Sequence, residues 1–140
     1  MQVSTSPLTD KIDTRSVNGD AVAGTSDVNC TGVEMAGASA VRFIAAIGAV
    51  VAGAATTLIA EDSDDDSTYA AITGATVTIA DDDDNKLAIL DVRNINKKKY
   101  IRCTVTRATQ NATVEAVIAE RYNVPGSVAT HTTVIAPVSV

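Results

Sequence analysis

Two stretches of this chain concentrate enough carboxylates to do chemistry. Glu61 to Ser67 reads EDSDDDS, and Ala80 to Lys86 reads ADDDDNK. Asp62, Asp64 and Asp66 have the D-x-D-x-D spacing with which oxygen ligands surround a hard cation. An EF-hand loop starting at Asp62 needs Gly at its sixth position to turn the chain and Glu at its twelfth to close the cage. Those positions hold Ser67 and Thr73, so an EF-hand is excluded. A looser Ca2+ site between two neighbouring acidic loops stays open, as does a contact surface for a basic partner. Asp and Asn also favour turns, and charged tips keep strand ends hydrated. Solvated turns are therefore the expectation, with no metal ligand and no cofactor.

Catalytic arrangements find little material. Glycoside hydrolysis needs one carboxyl raised in pKa by an apolar pocket, usually with aromatic rings against the sugar. The chain has three Tyr, one Phe and no Trp, and its acids lie in runs where all are expected to be solvated. A Ser-His-Asp device needs an oriented base, and the single His, His131, sits among Thr residues near the C-terminus. No GxSxG, HExxH or Gly-rich phosphate loop occurs. No catalytic residue is assigned, and the expectation is a protein that is not an enzyme. Cys30 and Cys103 show neither CxxC nor Cys/His metal spacing. A disulfide between them is an option, but two Cys are too few for the fold to depend on such staples.

The elements that would position these groups are strands. At 140 residues the chain has the length of one domain with a sizeable core. Apolar residues make up 46% and aromatics 3%, so that core must be built from Val, Ile, Leu and Ala, which favours β-structure. Val41–Ile47, Thr76–Ala80, Leu87–Val92, Tyr100–Thr106 and Thr113–Glu120 read as strands separated by turn residues. In Tyr100–Thr106, Ile101, Cys103 and Val105 should point inward, with Arg102 and Thr104 outward; Val77 and Ile79 should share a face in the same way. Asn18-Gly19-Asp20 reads as a hairpin turn. The uncharged run from Phe43 to Ala60 has the minimum length of a membrane span. It is mostly Ala, Gly and Thr, and two buried strands joined near Gly53 account for it better, with Ala55–Ala60 as the partner of Val41–Ile47. The expected organisation is all-β: an extended arm over 1–16, a β-sandwich over 17–122 and a C-terminal strand or arm over 123–140.

Charge narrows the partners. A net charge of −6 argues against general nucleic-acid binding, which needs a surplus of Lys and Arg. From Glu61 to Asp84 there are nine acids and no bases; from Lys86 to Arg107 there are seven bases against Asp91 alone. This predicts a dipolar surface suited to orienting copies or fitting a charged scaffold. The arms could also add as strands to a neighbour's sheet edge. The N-terminus shows no secretory pattern, so folding in a cytoplasm is expected.

The order of motifs, with Ser67, Tyr69 and Ile72, then Leu90-Asp91-Val92, then Tyr100-Ile101-Arg102 and Val105-Thr106, resembles that of tailed-bacteriophage capsid cement (head decoration) proteins. The resemblance covers slightly over half the chain and rests on soft strand patterns. Family members often carry Asp-Gly in the acidic loop, where this chain has Asp66-Ser67. What the resemblance implies is a jelly-roll fold and a structural role. Made in the host bacterial cytoplasm, the protein would sit on the outer surface of the phage head and bridge adjacent major capsid subunits. Its partners would be the major capsid protein and copies of itself, as a homo-oligomer such as a dimer, with no nucleic acid and no membrane. Contacts are expected at Leu8 and Ile12, at Lys97, Lys98 and Lys99, and at Val134 and Ile135. The alternative is a β-sandwich binding module, tail-associated or adhesin-like, using its acidic loops for Ca2+ or carbohydrate.

Overall fold

The structure, a computed structural model, describes residues 12–122 and the backbone of residues 134–139. Eleven strands form among them: β1 (Asp13–Asn18), β2 (Val22–Gly24), β3 (Val28–Asn29), β4 (Val33–Glu34), β5 (Ala40–Val50), β6 (Ala55–Ser63), β7 (Ala70–Ile79), β8 (Leu87–Arg93), β9 (Tyr100–Ala108), β10 (Ala112–Tyr122) and β11 (Val134–Ser139). No helix forms among the described residues, and none is long and apolar enough to cross a membrane.

The strands make two sheets. Sheet I has the order β1-β10-β5-β8-β11, with β2 also pairing β10; sheet II has the order β3-β9-β6-β7, with β4 also pairing β9. From β5 onward the chain passes from sheet I to sheet II for β6 and β7, back for β8, across for β9 and back for β10. Counting β1 with β2 and β3 with β4 gives two four-stranded layers connected as a jelly roll, with β11 added as a fifth strand at the β8 edge of sheet I. Every pairing is antiparallel except β11 on β8, which is parallel.

The core follows from period-2 alternation. Val41, Phe43, Ala45 and Ile47 of β5, with Ala88, Leu90 and Val92 of β8, face Leu58 and Ala60 of β6 and Ile101, Cys103 and Val105 of β9. Phe43, Leu58, Leu90, Ile101 and Val105 are fully enclosed. In β7 the alternation slips: the register shifts opposite Ile59/Glu61, Gly74 adopts φ +80°, and Ile72 and Ala75 both turn inward.

Three expectations about connections are corrected. β5 and β6 are joined by the turn through Gly53 (φ +86°) but do not pair; β5 lies between β10 and β8, and β6 between β9 and β7. A jelly roll crosses between layers at this corner, whereas a local reading supplies only the turn. Asn18-Gly19-Asp20 makes no hairpin, because β1 and β2 both run antiparallel to β10 as successive parts of one edge. Residues 13–16, placed in the extended arm, are paired with Arg121 to Ile118 and so belong to the sandwich.

Candidate interaction surfaces

The two acidic runs lie at opposite ends of the sandwich. β7 connects them, and its ten residues span about 30 Å. The expected neighbourhood of two acidic loops therefore does not exist, and a Ca2+ site shared between them has no geometric basis. Among the described residues no group of three or more His, Cys, Asp or Glu is placed to hold a metal.

Each carboxylate of the first run is committed separately. Asp62, only 6% exposed, accepts from Asn96 Nδ2 at 2.7 Å, and Asp64 accepts from Lys98 Nζ at 2.6 Å. Asp65 folds its own loop, accepting from the N–H groups of Thr68 (2.8 Å) and Ser67 (3.0 Å) and from Ser63 Oγ (2.8 Å). Those donors hold its carboxyl well below the usual range. Asp66, in the left-handed region at φ 57°, accepts from the Tyr69 hydroxyl, and the pair fills the space a side chain would need at Gly32. Burial, then the hydrogen bond to Asp66, pushes the Tyr69 phenol well above its ordinary value. The expectation that all the acids are solvated thus fails for Asp62 and for half-buried Glu61 and Asp83.

The sign separation along the sequence is partly undone in space. β6 runs antiparallel to β9, so Glu61 stands opposite Arg102. Arg102 Nε donates to Glu61 Oε2 at 2.7 Å, and its guanidinium lies 4.0 Å over the Tyr69 ring. Lys98 answers Asp64, Lys86 answers Asp83 at 2.7 Å, and Arg42 answers Asp91 at 3.1 Å. Three of the nine acids in 61–84 thus pair with three of the seven bases in 86–107. Tyr69 and Arg102, from two of the quoted motifs, thereby meet in one network.

The residues expected at contacts fall in different places. Lys97, Lys98 and Lys99 form the β8–β9 turn, built by Asn94, whose Oδ1 accepts from the Lys98 N–H (2.9 Å) and whose Nδ2 donates to the Lys98 carbonyl (2.8 Å). Lys97 (φ 50°) and Lys99 are exposed beside a cleft of about 650 Å3 lined also by Glu34, Met35, Asn94 and Tyr100. Ile12 is half-buried just before β1. Val134 and Ile135 start β11, in register with Leu87 and Ala88. Leu8 lies outside the described residues, as does His131.

Sequence reasoning missed the outer face of sheet I. Ile118, Ile44 and Ile89 stand side by side across β10, β5 and β8, and Ala116, Ala46 and Leu87 form the adjacent row. Ile118 is 38% exposed, Ile44 is half-buried and Ile89 is buried at 8%. The next row is polar: Glu120, Arg42 and Asp91 align, and Asp91 accepts from both Arg42 and the Tyr122 hydroxyl (2.6 Å). The available signal was that each Ile stands in the outward phase of its strand, where Arg42 and Asp91 also fall.

No protein-family model and no curated protein matches this chain. Among solved structures it is similar to the crystal structure of PBSX exported protein XepA, with a TM-score of 0.57 and 17% identity. The match covers 99% of this chain and 46% of that one, so the chain spans about half the length of XepA. At this identity the likeness is one of fold.

Proposed function

We propose that this chain is a phage-associated structural protein without catalytic activity, and specifically a head decoration protein. It would dock on the major capsid protein through the outer face of sheet I. The observation that carries this reading is the row Ile118–Ile44–Ile89 on the outer side of a jelly roll, exposed at Ile118, half-buried at Ile44 and covered at Ile89, and bordered by the paired charges of Arg42 and Asp91. An apolar centre with a polar rim is the anatomy of a protein–protein contact. The fold likeness to the phage-derived XepA and the order of the Tyr69, Asp91 and Arg102 motifs support the phage setting. Each copy would contribute a modest contact, and many copies around a shell, bridging adjacent subunits, would make the total large. The experiment mixes purified chain with empty expanded heads and measures saturation. Stoichiometric, saturable binding is expected; folded protein that never sediments with heads would end this reading.

A second reading is favoured by one observation: XepA is an exported protein, and the match accounts for less than half of it. The chain would then be a binding module of an exported phage assembly. Fractionating a producing culture separates the two, since the decoration reading requires the chain to co-purify with heads and the module reading requires it outside them. Ca2+ gives that module no help here: with the acidic runs at opposite ends, millimolar Ca2+ should move the melting temperature by less than about 1 °C, against about 10 °C for a saturated site.

A further inference from the structure

Cys30 and Cys103 meet where the proposed docking face has no part. The register that sets Val28 against Val105 and Asn29 against Thr104 continues one residue further, and the Cys30 N–H donates to the Cys103 carbonyl at 3.1 Å. Residues opposed in this hydrogen-bonded manner stand about 5.5 Å apart at Cα, within the span of a disulfide. Both are free thiols, Cys103 fully enclosed and Cys30 5% exposed. The two side chains also share a hydrogen bond, which holds the Cys30 thiol below its ordinary pKa, whereas burial pushes Cys103 up.

We propose that Cys30 and Cys103 are an oxidisable cross-strand pair that takes a small disulfide, such as oxidised glutathione, and closes into an intrachain bond tying the end of β3 to β9. Cys30 lies nearer the surface, next to a strand of only two residues, so local opening exposes it first. Its thiolate attacks one sulfur of glutathione disulfide, forming a mixed disulfide and expelling one glutathione thiolate, which takes up a proton. The Cys103 thiol gives up its proton, and its sulfur attacks the Cys30 sulfur and expels the second glutathione. Two protein thiols lose two electrons and two protons, and one glutathione disulfide becomes two glutathione thiols. The new bond would enclose β4 to β8 between its ends, restrict the unfolded chain and secure the short edge of sheet II.

The test incubates the full chain, folded, with a glutathione redox series and follows mass, free thiols after unfolding, and melting temperature. Expected are the loss of two hydrogen atoms, a proteolytic fragment joining Cys30 to Cys103, and a melting temperature raised by about 10 °C and reversed by dithiothreitol. Cys30→Ser should abolish the rise; if that variant does not fold, the fragment map of the unaltered chain decides alone. Two thiols still titratable after full oxidation would overturn the proposal. So would a lasting glutathione adduct on Cys30 beside a free Cys103, or bonds only between chains.

Discussion

Glu61 and Arg102 stand opposite each other on β6 and β9, with Nε and Oε2 2.7 Å apart and both side chains mostly covered. The same guanidinium stacks on Tyr69, and the same carboxylate accepts from Thr104 Oγ1 at 3.0 Å. Arg102 therefore joins the acidic loop to the centre of sheet II. Arg102→Ala removes a charge-assisted hydrogen bond and a cation–π contact, and should cost about 2 kcal/mol in urea denaturation. Arg102→Lys keeps the charge but not the planar donor and should recover less than half of that. Equal stability of all three proteins would show that the pair is only a surface ornament of the fold.

Arg107 illustrates a role that no motif announces. Only 6% exposed, it donates from Nε to the Ser26 carbonyl at 2.6 Å and from Nη1 to those of Val22 (2.8 Å) and Ala112 (2.6 Å). One side chain thus fixes the irregular path from β2 to β3 against the start of β10. Arg107→Met fills similar space but leaves those carbonyls without their donor, so a loss of about 3 kcal/mol is expected. Hydrogen exchange should accelerate over residues 22–28 before the sheets open. Uniform exchange with unchanged stability would show that water replaces the guanidinium at no cost.

The strands were legible where burial alternates and the pairing is implied by nothing else. Ile101, Cys103 and Val105 announce an inward face because polar residues separate them, and all three are fully buried. The run from Ala40 to Val50 has Arg42 as its single charged marker of phase, so the outward Ile44 was hard to tell from the inward Phe43. Charge was misread in part, for a related reason. Sequence distance separates Glu61 from Arg102 by forty-one residues, yet register makes them neighbours. The partner of a strand is set by layer crossing, which turn chemistry at Gly53 does not encode. The candidate docking face was hidden by both effects, since it needs β10, β5 and β8 in their spatial order before its three Ile residues line up.

Acid should loosen the loops through Asp65 and Asp83. Thr68 and Ser67 N–H groups and the Ser63 hydroxyl hold the Asp65 carboxyl down; Asp83, which burial alone would push up, is held down by Lys86 and the Ala80 N–H. Both folded-state pKa values are depressed. Their contribution is complete above the unfolded carboxylate pKa of about 4 and is lost as pH falls through the folded values. Urea midpoints should stay level from about pH 7 to 5 with respect to these groups and decline below about 4. In Asp65→Ala the decline should be shallower. Identical slopes would mean that Asp65 is as free in the folded chain as in the unfolded one.

Ile118 offers the most direct separation of fold from contact. Its side chain is 38% exposed on the outer face of sheet I and lies beside Ile44, away from the core residues Val117 and Ala119. Ile118→Glu should therefore change stability by less than about 1 kcal/mol, as surface substitutions do. On a docked face it would bury an unpaired carboxylate against apolar groups, which weakens association by about a hundredfold or more. Sedimentation with expanded heads, run beside the urea curve of the same variant, reads both effects. Lys99→Glu, at the cleft end of the sandwich, is the matched control: equal loss at both positions would move the contact to the Lys97–Lys99 turn, and undiminished binding of Ile118→Glu would remove the sheet face from the interface.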